Sequence, residues 1–98
     1  MSGAQVKSPD LNARQRRLLF RSWHRGMRET DLLLGHFANA EIGNLSETEL
    51  DHFELLLEAP DRDIFSWLTG EAEPPGAYKT PVLQKIRAFH NHAGPIHI

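Results

Sequence analysis

Helix start and stop signals recur at short intervals along this chain, and that punctuation constrains the fold more than any other feature. Ser8-Pro9-Asp10 offers an N-cap followed by a proline at the first helical position, and Gly26 supplies a stop. Gly43-Asn44 breaks a second segment, and Ser46-Glu47-Thr48-Glu49 has the serine-to-glutamate spacing of a capping box. Ala59-Pro60 closes the third segment, Asp61 is placed to cap a fourth, and Gly70 ends that one. Pro74-Pro75-Gly76 marks a connecting loop over 71–79, after which Thr80-Pro81 repeats the cap-plus-proline start.

Between these marks the apolar residues fall at helical spacing. Leu11, Leu18, Leu19 and Trp23 describe one stripe, and Leu33, Leu34 and Phe37 a second in a helix from about Met27 to Glu41. Leu50, Phe53, Leu56 and Leu57, then Ile64, Phe65, Trp67 and Leu68, then Val82, Leu83, Ile86 and Phe89 give three more. No segment alternates with period two. The expected fold is all-α, a compact bundle of about five short helices. One domain spans 10–90, with a flexible N-terminal segment over 1–9 and a flexible tail over 91–98.

The absence of cysteine excludes disulfides and cysteine-bound metals. The N-terminal residues lack the apolar run of a signal peptide and the arginine content of a transit peptide. Nowhere does an apolar stretch reach the ~18 residues that a membrane span needs. The expectation is a cytoplasmic chain that does not insert into a membrane and is a monomer when free. A net charge of −2 conceals an asymmetry: six arginines and no acid stand between Leu11 and Arg28, whereas ten acids and one base stand between Glu41 and Glu73. Such a molecule presents faces of opposite sign.

Arg14, Arg17, Arg21, Arg25 and Arg28 recur at spacings of three and four, so they share one helix face. That face is either a nucleic-acid surface of a regulatory helical domain or a set of cations paired with acids elsewhere. The acidic balance and the lack of interleaved aromatics favour the second. His90, His92 and His97 crowd the C-terminus without a neighbouring carboxylate, which makes a metal site the poorer reading and an incidental, disordered cluster the better one. His24, His36 and His52 are scattered over different helices and read as structural. Ser22 and His24 face different sides of a helix, and Asp61 and Asp63 are explained by capping, so no catalytic residue is expected.

Arg25-Gly26-Met27-Arg28-Glu29 stands apart, because a glycine lies among charges where two helices meet. One reading is a C-cap glycine followed by a helix-start carboxylate. The other is a corner that brings a partner close to bare main chain.

These residues, followed by Thr30-Asp31 and Leu32-Leu33-Leu34, resemble the succinate dehydrogenase flavinylation (FAD assembly) factors, the SdhE family, whose hallmark is an RGxxE motif between the first two helices. Arg17-Leu18-Leu19-Phe20-Arg21-Ser22 and Asp61-Arg62-Asp63-Ile64-Phe65-Ser66-Trp67-Leu68 are similar to the same family, and the resemblance covers roughly 11–89. It implies five helices and an assembly chaperone without enzymatic activity. Its partner would be the flavoprotein subunit of succinate dehydrogenase or fumarate reductase, and it would promote covalent attachment of FAD to a histidine of that subunit. FAD would be attached on the partner and not held stably by the chaperone. Carried onto this sequence, the resemblance implies partner-binding roles for Arg25, Gly26 and Glu29, and with them Arg17, Met27, Arg28 and Asp31.

Overall fold

The fold follows from how each helix is started and stopped. A computed structural model describes residues 10–92, and His92 in backbone only. Five α-helices occur among them: α1 (Ala13–Trp23), α2 (Arg28–Glu41), α3 (Glu47–Leu56), α4 (Asp61–Thr69) and α5 (Pro81–His92). Single 3-10 turns at Ile42–Asn44 and Gly76–Tyr78 lie in the connections, and the described residues contain no strand.

Two starts differ from the sequence expectation. Helix α1 is capped by Asn12 and not by the Ser8-Pro9-Asp10 signal, whose Ser8 and Pro9 lie outside the described residues. The Asn12 Oδ1 accepts from the Gln15 N–H at 2.8 Å while the Asn12 N–H donates to Gln15 Oε1 at 2.8 Å, a reciprocal box that satisfies two end donors at once. Helix α4 has Pro60 at its N-cap with no side-chain bond, and Asp61 is its first helical residue. The Asp61 carboxylate is drawn away from capping by an arginine described below.

The other signals act as read. Ser46 and Glu49 form the capping box of α3, and Thr80 Oγ1 accepts from the Leu83 N–H at 3.3 Å behind Pro81. Gly70 terminates α4 with φ 82°, a left-handed conformation in which glycine carries no Cβ penalty. Helix α5 continues through His92, two residues into the segment expected to be a flexible tail; 1–9 and 93–98 lie outside the described residues.

Helix α2 lies at the centre, packed on α1, α4 and α5, while α3 closes against α5. The core gathers Leu18 and Leu19, then Leu33, Leu34, Phe37 and Ala38, with Leu50, Phe53, Leu56 and Leu57 of α3 and its end. Ile64, Trp67 and Leu68 of α4 and Val82, Leu83 and Ile86 of α5 complete it. Trp23, Phe65 and Phe89, expected to face inward, pack against its edge and stay partly buried. Each fully buried Leu, Ile or Phe contributes about 1.5–3 kcal/mol.

The arginine face is neutralised where α1 meets α3. Arg14 donates to Glu47 (3.1 Å), Asp51 (2.6 Å) and Glu54 (2.8 Å), and Arg21 to Glu58 (2.9 Å), so α1 is laced to α3. The hydrogen bonds to Asp51 and then Glu54 hold the Arg14 pKa above its ordinary value. Glu49 meets Lys85 of α5 at 2.8 Å; that contact first, and the Ser46 N–H second, lower its carboxyl pKa. His90 is fastened to α2 by a 2.8 Å bond between its Nε2 and the Leu33 carbonyl, which corrects its placement in a disordered histidine cluster.

Candidate functional site

The connection between α1 and α2 is only four residues long, His24 to Met27, and its backbone is held from two sides. Helix α1 ends at Trp23, earlier than Gly26 predicts, with the His24 N–H on the Arg21 carbonyl at 3.3 Å. The Arg25 N–H leaves the helical pattern and donates to Asp31 Oδ1 at 2.8 Å, one turn inside α2. Asp31 therefore acts inside the chain, tying the incoming strand of the corner to the first turn of the outgoing helix. Gly26 then adopts φ 105°, which an L side chain tolerates poorly, and a Cβ built there would meet nothing within 4 Å.

The Arg25 side chain turns inward and spans the gap to the α3–α4 connection. Its Nε donates to Asp61 Oδ1 at 2.6 Å, one Nη to the Ala59 carbonyl at 2.6 Å, and the other Nη to the Leu57 carbonyl. This satisfies two carbonyls at the end of α3 and explains why Asp61 does not cap α4. Thr30, fully buried, adds a bond from Oγ1 to the Asp61 carbonyl at 3.2 Å. The corner is thus bolted to the far side of the bundle by Arg25 and Thr30, and to α2 by Asp31.

What the corner presents outward is a different subset. Gly26 and Arg28 are exposed, Met27 and Glu29 half-buried, and Arg17 is exposed one helix back. The side chains of Arg17, Arg28 and Glu29 make no hydrogen bond or ion pair with another described residue. Of the seven residues singled out in the sequence, Arg25 and Asp31 are internal braces. The other five are available at the surface, with Gly26, Met27, Arg28 and Glu29 contiguous and Arg17 on α1.

Sequence reasoning missed what holds this corner up from behind. Trp23 lies over Gly35 of α2, and its Nε1 donates to Asn39 Oδ1 at 3.3 Å. It also missed the Phe20–His24 stack on the outer face of α1, with centroids 3.9 Å apart. The available signal was phase, since Phe20 falls outside the stripe of Leu11, Leu18, Leu19 and Trp23.

No group of three His, Cys, Asp or Glu among the described residues is arranged to hold a metal. No helix of the described residues is long and apolar enough to cross a membrane. Among the described residues, a shallow groove of about 260 Å³ is lined by Phe37, Glu41, Lys85, Ala88 and Phe89, and another of about 190 Å³ lies beside Gly70 and Arg87. Neither touches the corner.

Comparison with known proteins identifies the family. The family described as flavinator of succinate dehydrogenase matches residues 16–90. The chain is 42% identical over 78 residues to a protein named succinate dehydrogenase assembly factor 2, mitochondrial, of Dictyostelium discoideum, covering 80% of this chain and 55% of that one. It is 40% identical over 85 residues to FAD assembly factor SdhE of Acetobacter pasteurianus, covering 87% of this chain and 78% of that one. A third, the assembly factor 2 of Cryptococcus neoformans, is 38% identical over 81 residues, which is 46% of its length. The chain therefore spans about half the length of these two mitochondrial relatives and most of the bacterial one. With the family matched over 16–90, from α1 to α5, this chain belongs to the succinate dehydrogenase flavinator family of assembly factors.

Proposed function

We propose that this chain is an assembly chaperone that binds the flavoprotein subunit of succinate dehydrogenase, or of fumarate reductase, and promotes covalent attachment of FAD to it. The observation that carries this reading is the rigid corner itself, in a chain matched by the flavinator family over 16–90. Arg25, Thr30 and Asp31 consume their polar groups in fixing the corner, so Gly26, Met27, Arg28 and Glu29 are offered to a partner with little left to order on binding. Gly26 lets the partner approach main chain closely. Arg28 and Glu29 supply one charge of each sign for hydrogen-bonded pairing, and Met27 an adaptable apolar contact.

In this reading the chaperone is not an enzyme and FAD stays with the client. The bond-forming chemistry is then the client's own. The chaperone's part is to hold the client where its histidine and the flavin are aligned, and alignment alone can remove several kcal/mol from a barrier. In this reading the chaperone works as a monomer in the cytoplasm.

The alternative, nucleic-acid binding through α1, loses its support here, since Arg14, Arg21 and Arg25 are spent on Glu47, Asp51, Glu54, Glu58 and Asp61. Deleting the gene and measuring in-gel flavin fluorescence of the denatured dehydrogenase tests the proposal. Loss of covalent flavin, restored by the wild-type chain, is the expected result. Undiminished covalent flavin in the deletion strain overturns it.

A further inference from the structure

Helix α1 sorts its arginines by side. Those facing α3, Arg14 and Arg21, are neutralised by acids of that helix. Next to them, on the solvent-facing flank of the helix, Arg17, Phe20 and His24 follow one another at spacings of three and four with Arg16 a turn before Phe20, and all four are exposed. Arg17 has no partner among the described residues, and Arg16 meets only the Leu11 carbonyl through one Nη. Between them Phe20, 62% exposed, is the most exposed large apolar side chain among the described residues.

Phe20 is also the one held in place. The His24 imidazole stacks on it with centroids 3.9 Å apart and an interplanar angle of 15°, and His24 Nδ1 lies 2.7 Å from the Phe20 carbonyl. That second contact fixes the imidazole over the ring. The two form a rigid aromatic plate whose side-chain entropy is already spent in the free protein, a frequent property of binding hot spots.

We infer that the outer face of α1, Phe20 backed by His24 and flanked by Arg16 and Arg17, is a second docking element for the client flavoprotein, and that it seats on an acidic client surface with an apolar recess for Phe20. The inference rests on the chaperone reading and extends its contact beyond the RGxxE corner. Charge identifies the occupant. Two cations and no acid flank the ring, and the face runs without interruption through His24 into the corner that ends in exposed Arg28. A two-fold contact with a second copy through this stripe would gather four arginines and no acid of the stripe into one seam. Neither 1–9 nor 93–98 of this chain contains an acidic side chain to complement the stripe.

The test uses the full chain and the purified, non-flavinylated succinate dehydrogenase flavoprotein subunit, with affinity and association rate measured across a salt series. Phe20→Ala should weaken the complex about tenfold or more, with Phe20→Tyr restoring most of the affinity. Arg16→Glu with Arg17→Glu should slow association and flatten its salt dependence, as expected for steering cations. Phe20 is exposed, so both variants should keep wild-type helical circular dichroism. Binding of both variants within twofold of wild type, while Glu29→Ala still weakens the complex, overturns the inference and leaves the chaperone reading standing. A wild-type chain that does not bind the subunit overturns both. A dimer in solution that Phe20→Ala dissociates also overturns the inference, because a second copy would then be the occupant.

Discussion

Arg25 and Asp61 lie 36 residues apart in sequence and meet at 2.6 Å, Nε to Oδ1, with side chains 13% and 22% exposed. This contact turns the RGxxE corner from a loop into a fixture. The arginine that looks from sequence like a hand held out to a partner is holding the bundle together. Arg25→Ala should therefore cost about 2–3 kcal/mol of stability, since it removes charge-assisted bonds and leaves the Leu57 and Ala59 carbonyls without their donors. Asp61→Asn should cost less, and the double mutant should be less destabilised than the sum of the singles. Urea denaturation of the four proteins checks it; additive losses would show that the pair does not act as a unit.

Glu29 separates binding from folding. Its side chain is bonded to no other described residue, so Glu29→Ala should leave the stability within about 0.5 kcal/mol of wild type while weakening client binding. Gly26 is less clean. Any side chain there must take φ near 105°, at a cost of about 1–3 kcal/mol, even though the space around it is open. Gly26→Arg should lose both stability and binding, and Glu29→Ala binding alone.

The third prediction concerns the support behind the corner. A Cβ at Gly35 would lie under 3.0 Å from three ring carbons of Trp23, so Gly35→Ala should expel the indole from its seat on α2. Overpacking of this kind costs typically about 1–3 kcal/mol. The expelled tryptophan should emit at longer wavelength, and its bond to Asn39 should be lost. An unshifted emission spectrum would mean that the helices part without moving Trp23.

The fourth is a pH dependence. Burial lowers the His90 pKa from its ordinary 6.5, offset in part by its bond to the Leu33 carbonyl and reinforced by the nearby His36. The unfolded chain then binds this proton more readily than the folded one. The stabilisation is present above about pH 6.5 and is lost as pH falls below that value toward the lower folded pKa. Between pH 7 and 5 the wild type should lose stability that His90→Gln does not. Parallel stability profiles for the two proteins would remove His90 from the account.

Much of this was legible before any coordinates, because helices announce themselves locally. The Ser46–Glu49 box, the Thr80-Pro81 start, the Gly70 stop and the apolar stripes of α2, α3 and α5 depend on neighbours a few residues away. The RGxxE segment, too, was visible as a place where two helices meet. Where the reading failed, two local signals competed. Asn12-x-x-Gln15 took the start of α1 from Ser8-Pro9-Asp10, since it closes two hydrogen bonds on the helix end.

What the sequence by itself determined was the number, order and apolar sides of the helices, because those follow from dihedral preference and periodicity within each segment. Only the tertiary structure decided which charged groups are braces and which are offered outward. Arg25 and Arg28 flank the same glycine, yet one is clamped to Asp61 and the other is free among the described residues. That difference is set by which side chains the packing of α1, α2 and α4 brings within hydrogen-bonding distance, and separations of more than thirty residues leave no trace in local spacing.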